Sequence, residues 1–218
     1  MVYATMIIGE EYCRKYSQQV LQSSFKTTLY ILTDHPELFP NCNTIPYTKA
    51  VFSYYDKLIF LAELTLEKKQ RVTFIDCDWL SNINSNTSLE ENIFYTYWIY
   101  STTKLKTKVL FEFGVNLMKE VLQDNGYKVD YDDYIGEAVL SLPYCDKVTD
   151  ILKDLKNLQE PWEKAFSQSI KTNHSTLLRY ANYGVGYAEG GALTAILRKY
   201  SVPYKSLSKW EFIKKSII

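Results

Sequence analysis

The chain has 218 residues, 46% of them hydrophobic and 23% charged, which is typical of a folded globular domain and excludes a mostly disordered chain. Lys plus Arg and Asp plus Glu each number 25, so the formal net charge is zero and indicates neither a nucleic acid nor an anionic membrane as partner. No apolar run is long enough for a membrane span, and no basic flank marks a signal peptide. The four cysteines lie far apart in the sequence, so we expect reduced thiols in a cytoplasmic protein.

Short apolar strands alternate with amphipathic helices through the first 75 residues. In chain order, we predict a strand at 3–9, a helix at 10–23, strands at 28–33 and 44–47, a helix at 53–69 and a strand at 71–75. The last of these (RVTFI) is a continuous apolar and β-branched run, as expected for a central parallel strand that is buried on both faces. This alternation predicts an α/β fold with a mostly parallel sheet and right-handed crossovers.

The second half of the chain has a more mixed pattern. Apolar residues at helical spacing predict helices around 115–122 and 148–158, and further helices at 190–199 and 208–215. Between 81 and 107 the sequence is first polar and then aromatic (FYTYWIY), which fits either a strand or an insert that faces a substrate. No linker composition divides the chain, so we expect one domain.

Two carboxylates follow the most hydrophobic of the predicted strands. Residues 74–79 are FIDCDW, which places Asp76 and Asp78 directly after the buried run. The carboxyl ends of the strands in an open α/β sheet line the ligand crevice. A divalent cation such as Mg²⁺ or Mn²⁺, which takes carboxylate and diphosphate oxygens, is a common reason to hold two acids there. A solvated turn is the alternative, because Asp is frequent in turns.

The stretch 54–79 (YYDKLIFLAELTLEKKQRVTFIDCDW) resembles the segment leading into the Asp-x-Asp motif of nucleotide-sugar glycosyltransferases with the GT-A fold, of the small viral or bacterial type. The resemblance implies a GT-A-like mixed, mostly parallel sheet flanked by helices. It implies a single domain over 1–218, with a nucleotide-binding half of about 1–80 and an acceptor half of about 81–218. It also implies a nucleoside-diphosphate sugar donor (UDP favoured), Mn²⁺ or Mg²⁺, and a glycan or glycoprotein acceptor, met in the host cytoplasm if the protein is viral.

By the same resemblance, several residues of the first half are expected to bind the donor. Lys57, on the helix before the motif, would contact the diphosphate; a solvated helix lysine is an equal alternative. The first strand and its loop would hold the nucleoside through Thr5, Gly9 and Tyr12, and Asp34 closes the second strand. A tyrosine that packs on the sheet is the alternative for Tyr12.

An acidic cluster at 130–137 (DYDDYIGE) is similar to the motif that carries the catalytic base of inverting GT-A enzymes. The resemblance makes Asp133, with Asp132 beside it, the first choice for the group that takes the proton from the acceptor hydroxyl. It therefore predicts inversion and leaves retention open. The spacing to Gly136 is one residue shorter than the family pattern, so an acidic helix N-terminus is the alternative. Glu189, beside two glycines, is a further candidate for the base.

The resemblance also makes His174 the candidate for a third metal ligand, because many members of the family use a C-terminal histidine; a structural histidine is the alternative. Two other classes of protein stay open. A haloacid-dehalogenase-type phosphatase also uses an Asp-x-Asp after an apolar strand, but its motif normally lies on the first strand and here it lies on about the fourth. A non-catalytic module that binds a nucleotide or a glycan would share these sequence features, because a fold does not fix an activity.

Overall fold

A mixed sheet of seven strands forms the centre of the computed structural model, which describes residues 2–23, 27–50, 52–82, 89–97, 99–101, 109–130, 133–136, 138–172 and 189–207. The elements in chain order are β1 (Val2–Ile7), α1 (Glu10–Gln22), β2 (Leu29–Thr33), β3 (Asn43–Pro46), α2 (Asp56–Lys68), β4 (Val72–Ile75), β5 (Phe94–Thr96), β6 (Ile99–Ser101), α3 (Val109–Asp124), β7 (Asp133–Ile135), β8 (Val139–Leu142), α4 (Val148–Thr172), α5 (Glu189–Lys199) and β9 (Tyr204–Ser206). Short 3-10 helices span Pro36–Leu38 and Cys77–Asn82.

The strand order is β3-β2-β1-β4-β8-β5-β9. The first four strands of this order are parallel, β8 is antiparallel to both of its neighbours, and β9 is parallel to β5. Strands β6 and β7 form a separate antiparallel pair. The chain is therefore an α/β protein with a mixed, mostly parallel sheet flanked by helices, which confirms the GT-A-like architecture expected from the sequence.

The predicted elements of the first 75 residues are all present, with ends that differ by up to three residues. The central position of β4 in the sheet explains why its sequence is a continuous run of apolar and β-branched residues. Phe74 packs into the core on the face covered by α2, α3, α4 and α5, whereas Ile75 packs on the opposite face with Cys13 and Val20 of α1. A strand that is buried on both faces cannot alternate between apolar and polar side chains.

Arg71 fastens the start of β4 to the far half of the sheet. Its guanidinium donates to the carbonyl and hydroxyl oxygens of Ser141 at 3.2 Å. It also donates to the carbonyl oxygens of Glu90, Glu91 and Ile93 at 2.5–3.0 Å. Burial lowers the pKa of this guanidinium, and five oxygen acceptors compensate for the lost water. The side chain thereby holds the segment before β5 against β8.

The described part of the second half contains five short strands. A strand was one of the two alternatives for the aromatic stretch that contains β5 and β6, whereas β7, β8 and β9 were not predicted. The aromatic stretch at 94–100 contributes β5, where Phe94 and Tyr95 are buried, and Tyr97 beyond it is also buried. These side chains belong to the core, while Trp98 lies outside the described residues. The predicted helices at 115–122, 148–158 and 190–199 are present as the longer α3, α4 and α5, and the one predicted at 208–215 lies outside the described residues. No helix of the described residues is long and apolar enough to cross a membrane.

Candidate functional site

The carboxyl ends of the four parallel strands meet along one edge of the sheet. Gly9 follows β1, Asp34 follows β2, Tyr47 follows β3 and Asp76 follows β4. Helices α1 and α2 begin at this edge, because each one connects a strand that ends here to a parallel strand that starts at the other edge. Four strand ends and two helix N-termini, whose free N–H groups favour anions, therefore share this side of the molecule.

The Asp76–Asp78 pair lies at the centre of that edge. The amide of Asp76 donates to the carbonyl of Ala138 at 2.9 Å, so β8 continues to hold the chain at this point, and a 3-10 helix starts at Cys77. Asp76 is half-buried and Asp78 is exposed. Burial, the Asp76 carboxylate and the Asp78 carboxylate, in that order, raise the pKa of the Cys77 thiol to about 12. Burial is the largest cause of this shift, and the two carboxylates add a negative potential around the thiol, which a cation would neutralise.

Lys57 lies at the same edge, in the first turn of α2. It is only 4% exposed, and its Nζ lies 5.8 Å from the centre of the Tyr54 ring. A lysine this deeply buried is uncommon unless another group compensates its charge. The buried position contradicts the alternative of a solvated helix lysine.

The causes that shift the pKa of the Tyr54 hydroxyl show which charged groups lie near it. Burial raises the pKa of its hydroxyl, and Tyr12, Glu189 and Asp76 raise it further, while the Lys57 ammonium lowers it. These four side chains come from α1, α5, the end of β4 and α2, and all of them lie within electrostatic reach of one hydroxyl. No sequence motif marks Tyr54 as a site residue; its position two residues before the helix that carries Lys57 is the signal that was available.

Glu189 is the first residue of α5 and is 2% exposed. The start of this helix is fastened to β7, because the Ile135 amide donates to Thr194 Oγ1 at 3.1 Å and Thr194 in turn donates to the Gly190 carbonyl at 2.6 Å. The two glycines after Glu189 are buried within the first turn of the helix. Of the two sequence candidates for the base that the structure describes, Asp133 and Glu189, it is Glu189 whose charge acts on the Tyr54 hydroxyl beside Lys57.

The predicted nucleoside residues divide into two groups. Gly9 has φ +92°, a conformation that glycine adopts easily, and its amide donates to both carboxylate oxygens of Asp34 at 2.9 and 3.1 Å. Asp34 thus shapes the loop between β1 and α1, and Tyr12 on α1 is 55% exposed beside it. Exposure at this level does not fit the alternative of a tyrosine packed on the sheet. Thr5, by contrast, is completely buried within β1 and is not presented at the edge.

Asp133 lies elsewhere. Its carboxylate accepts hydrogen bonds from Arg198, at the last turn of α5, and from the Tyr204 hydroxyl. Lys205, the residue after Tyr204, lies opposite Tyr95 of β5 in the sheet, and Tyr95 lies opposite Ser141 of β8. Ser141 in turn lies opposite Thr73, near the start of β4. The structure therefore places Asp133 toward the opposite edge of the sheet from Asp76, with two donors already engaged. Its role as the base is not favoured by this geometry.

Asp132 and His174 lie outside the described residues. Among the residues that are described, no group of three or more His, Cys, Asp and Glu side chains is placed to hold a metal ion. A cation at Asp76 and Asp78 would consequently take its remaining ligands from the diphosphate, from water or from parts of the chain beyond the described ranges, which is how Mg²⁺ commonly binds.

No protein-family model matches the chain, and no curated protein is significantly similar to it. Among solved structures, the chain is similar to mouse xyloside xylosyltransferase 1 in its apo form, with 10% sequence identity over 94% of this chain and 84% of that chain and a TM-score of 0.39. A likeness at this level assigns neither a family nor an activity, so a functional conclusion has to come from the site itself.

Proposed function

We propose that the chain is a metal-dependent glycosyltransferase that moves a sugar from a nucleoside-diphosphate sugar, UDP-linked in our first hypothesis, to a hydroxyl group of a glycan or glycoprotein. The observation that carries the proposal is that Asp76 and Asp78, at the end of β4, and the buried Lys57, in the first turn of α2, lie at the same carboxyl edge of the sheet, where the charge of Glu189 also acts on Tyr54. The carboxylates of Asp76 and Asp78, the buried ammonium of Lys57 and the buried carboxylate of Glu189 form the set of groups that this reaction needs.

The carboxylates of Asp76 and Asp78 fit a hard cation, because both are oxygen ligands and the potential between them is negative. When bound, Mn²⁺ or Mg²⁺ supplies charge neutralisation for a diphosphate leaving group. Lys57 contributes a second positive charge from a buried position, where an electrostatic interaction with phosphate is stronger than in water. Gly9, in the loop after β1, and Tyr12, in the first turn of α1, bind the nucleoside.

Glu189 is the carboxylate that we assign to the reacting sugar. It comes from a different element than the metal pair, so it can approach the donor from another side. There it can accept the proton of the acceptor hydroxyl, as a general base does, and the product is then inverted. The anomeric configuration of the product, measured by NMR, tests this assignment: inversion agrees with it, and retention would require Glu189 to act in another role.

Thermal unfolding with UDP, GDP and CMP, each with Mn²⁺ or with a chelator, tests the donor site, because a ligand that binds only the folded state raises its stability. We expect UDP to raise the midpoint in the presence of Mn²⁺ and the chelator to remove the increase. Asp78→Asn should abolish the increase. Asp146→Asn is the matched control, since this aspartate is 79% exposed and forms an ion pair with its neighbour Lys147. If no nucleotide changes the midpoint with any metal, the edge is not a donor site.

A further inference from the structure

A cleft of about 740 Å³ lies apart from the Asp76 edge, between the turn after α3, the middle of α4 and the last turn of α5. Leu158 and Ala195 are almost completely buried beneath the cleft, and most of the other lining residues are polar. Its volume lies within the range of sites that bury a small organic ligand. Arg198, in its wall, is nine residues after Glu189, and a helix of this length rises about 13 Å. The cleft is therefore separate from the candidate reaction centre.

A preformed polar network lines the bottom of the cleft. Asp154 is 6% exposed and accepts hydrogen bonds from Lys199 Nζ at 2.6 Å and from the Tyr200 hydroxyl at 2.9 Å. Burial raises the pKa of Tyr127, and a hydrogen bond to Asp154 raises it further. Lys199 Nζ also lies 4.9 Å from the centre of the Tyr127 ring. A carboxylate with three donors fixes these side chains in place before any ligand arrives.

Three cations and two acids lie in the described lining of the cleft, and most of these charges are already paired. Lys199 pairs with Asp154, Arg198 pairs with Asp133 outside the lining, and Lys128 and Asp130 lie on the same short turn. A charged ligand of either sign would meet groups of its own sign and would have to compete with pairs that already exist. A ligand without charge that carries many hydroxyl groups meets no such cost, because each hydroxyl can both donate to a carboxylate and accept from an ammonium or amide group.

We propose that this cleft binds a neutral oligosaccharide at a site that performs no chemistry. Asn157 on α4 and Asp130 on the turn after α3, both in the lining, hydrogen-bond to the sugar hydroxyls. Binding in this cleft requires only that the chain recognises glycans. It does not depend on sugar transfer at the edge that contains Asp76.

Saturation-transfer NMR and calorimetry with maltotriose, cellotriose and triacetylchitotriose test the proposal, with inorganic phosphate as the charged probe. We expect at least one trisaccharide to bind with a Kd on the order of 1 mM. Asn157→Trp should fill the cleft and weaken binding at least about tenfold, that is by about 1.4 kcal/mol. Glu160→Trp is the control, because this residue is exposed on the same helix and does not line the cleft.

Lys128→Trp, which fills the cleft from another wall, serves as the second variant if Asn157→Trp does not fold. Three results would overturn the proposal: no trisaccharide binds below about 20 mM, phosphate binds and the sugars do not, or binding persists unchanged in a folded cleft-filling variant. The last result would mean that the glycan binds at the edge that contains Asp76 and not in the cleft. Loss of nucleotide binding at that edge leaves the cleft proposal unaffected, so the two proposals can fail separately.

Discussion

Replacing Asp56 by alanine tests whether the start of α2 is held in place by a buried carboxylate. Asp56 is 5% exposed and accepts hydrogen bonds from the Tyr47 hydroxyl at 2.7 Å, from Gln159 Nε2 at 2.7 Å and from the Lys49 ammonium. These donors lie in the loop after β3 and on α4, so one side chain ties α2 to two other parts of the fold. Lys57 is the next residue along the helix.

The magnitude follows from what Asp56→Ala leaves behind. A hydrogen bond to a charged acceptor is worth about 1.5–3 kcal/mol, and removing one partner of a fully buried ion pair costs about 3–5 kcal/mol. Lys49 is 47% exposed, so water replaces much of its interaction and its share is small. The Tyr47 hydroxyl and the Gln159 amide carry most of the effect. We expect the free energy of unfolding to fall by about 3 kcal/mol.

Urea unfolding followed by circular dichroism measures this loss. For a chain of this length, the same loss lowers the thermal midpoint by about 6–12 °C. Asp56→Asn retains one oxygen acceptor and should lose about half as much. Asp146→Ala, at an exposed position, should change stability by less than about 0.5 kcal/mol. A loss below about 1 kcal/mol for Asp56→Ala would refute the reasoning, because the carboxylate would then contribute no more than a surface group.

Three further predictions concern single residues. Arg71→Lys should lower the free energy of unfolding, measured in urea, by about 2 kcal/mol, since one ammonium cannot reach the five acceptors of the guanidinium. An unchanged stability would contradict the role of Arg71 in holding the segment before β5 against β8. Thr5→Val should raise stability by about 1 kcal/mol and leave any nucleotide-induced shift unchanged, because within the described residues the buried Thr5 hydroxyl has no hydrogen-bond partner; a loss of stability would show a hidden partner. Cys77 should react with iodoacetamide at pH 8 on the order of 1000-fold more slowly than in the urea-unfolded chain, because the thiolate is the nucleophile and its pKa is raised to about 12. Peptide mass spectrometry measures this rate, and a plateau below pH 9 would contradict the raised pKa.

The sequence predicted the first half of the fold well because its signals are local. Strand β4 is buried on both faces and therefore continuously apolar, and α1 and α2 each have 13 residues, enough to show helical spacing. Strands β5 to β9 have three or four residues each. A segment that short cannot establish a period. Unlike the equally short β4, these strands do not follow a regular alternation of strands and helices, so pairing with a distant strand decides their structure.

The candidate site was predictable only where its residues follow a recognisable element. Asp76 and Asp78 end the strongest strand, and Lys57 begins the helix before it. Asp133 was the first choice of base and Glu189 a further candidate, because the sequence does not show which of them reaches this edge. The partners of Asp133 are Arg198 and Tyr204, more than 60 residues away, and contacts at such separations are set by the folded chain.

Release of the nucleotide (UDP, GDP or CMP) from UDP-, GDP- and CMP-sugars, with Mn²⁺ or a chelator, tests the central claim most directly. We predict release from one donor class, dependence on the metal, and loss by at least about 100-fold in Glu189→Gln under conditions where this variant still shows the metal-dependent nucleotide shift. Asp78→Asn should lose both the shift and the release, and Asp146→Asn neither. If no donor is cleaved with any metal while a simple phosphomonoester is hydrolysed and Asp76→Asn stops that hydrolysis, the glycosyltransferase proposal is wrong and the acids at this edge serve a phosphatase.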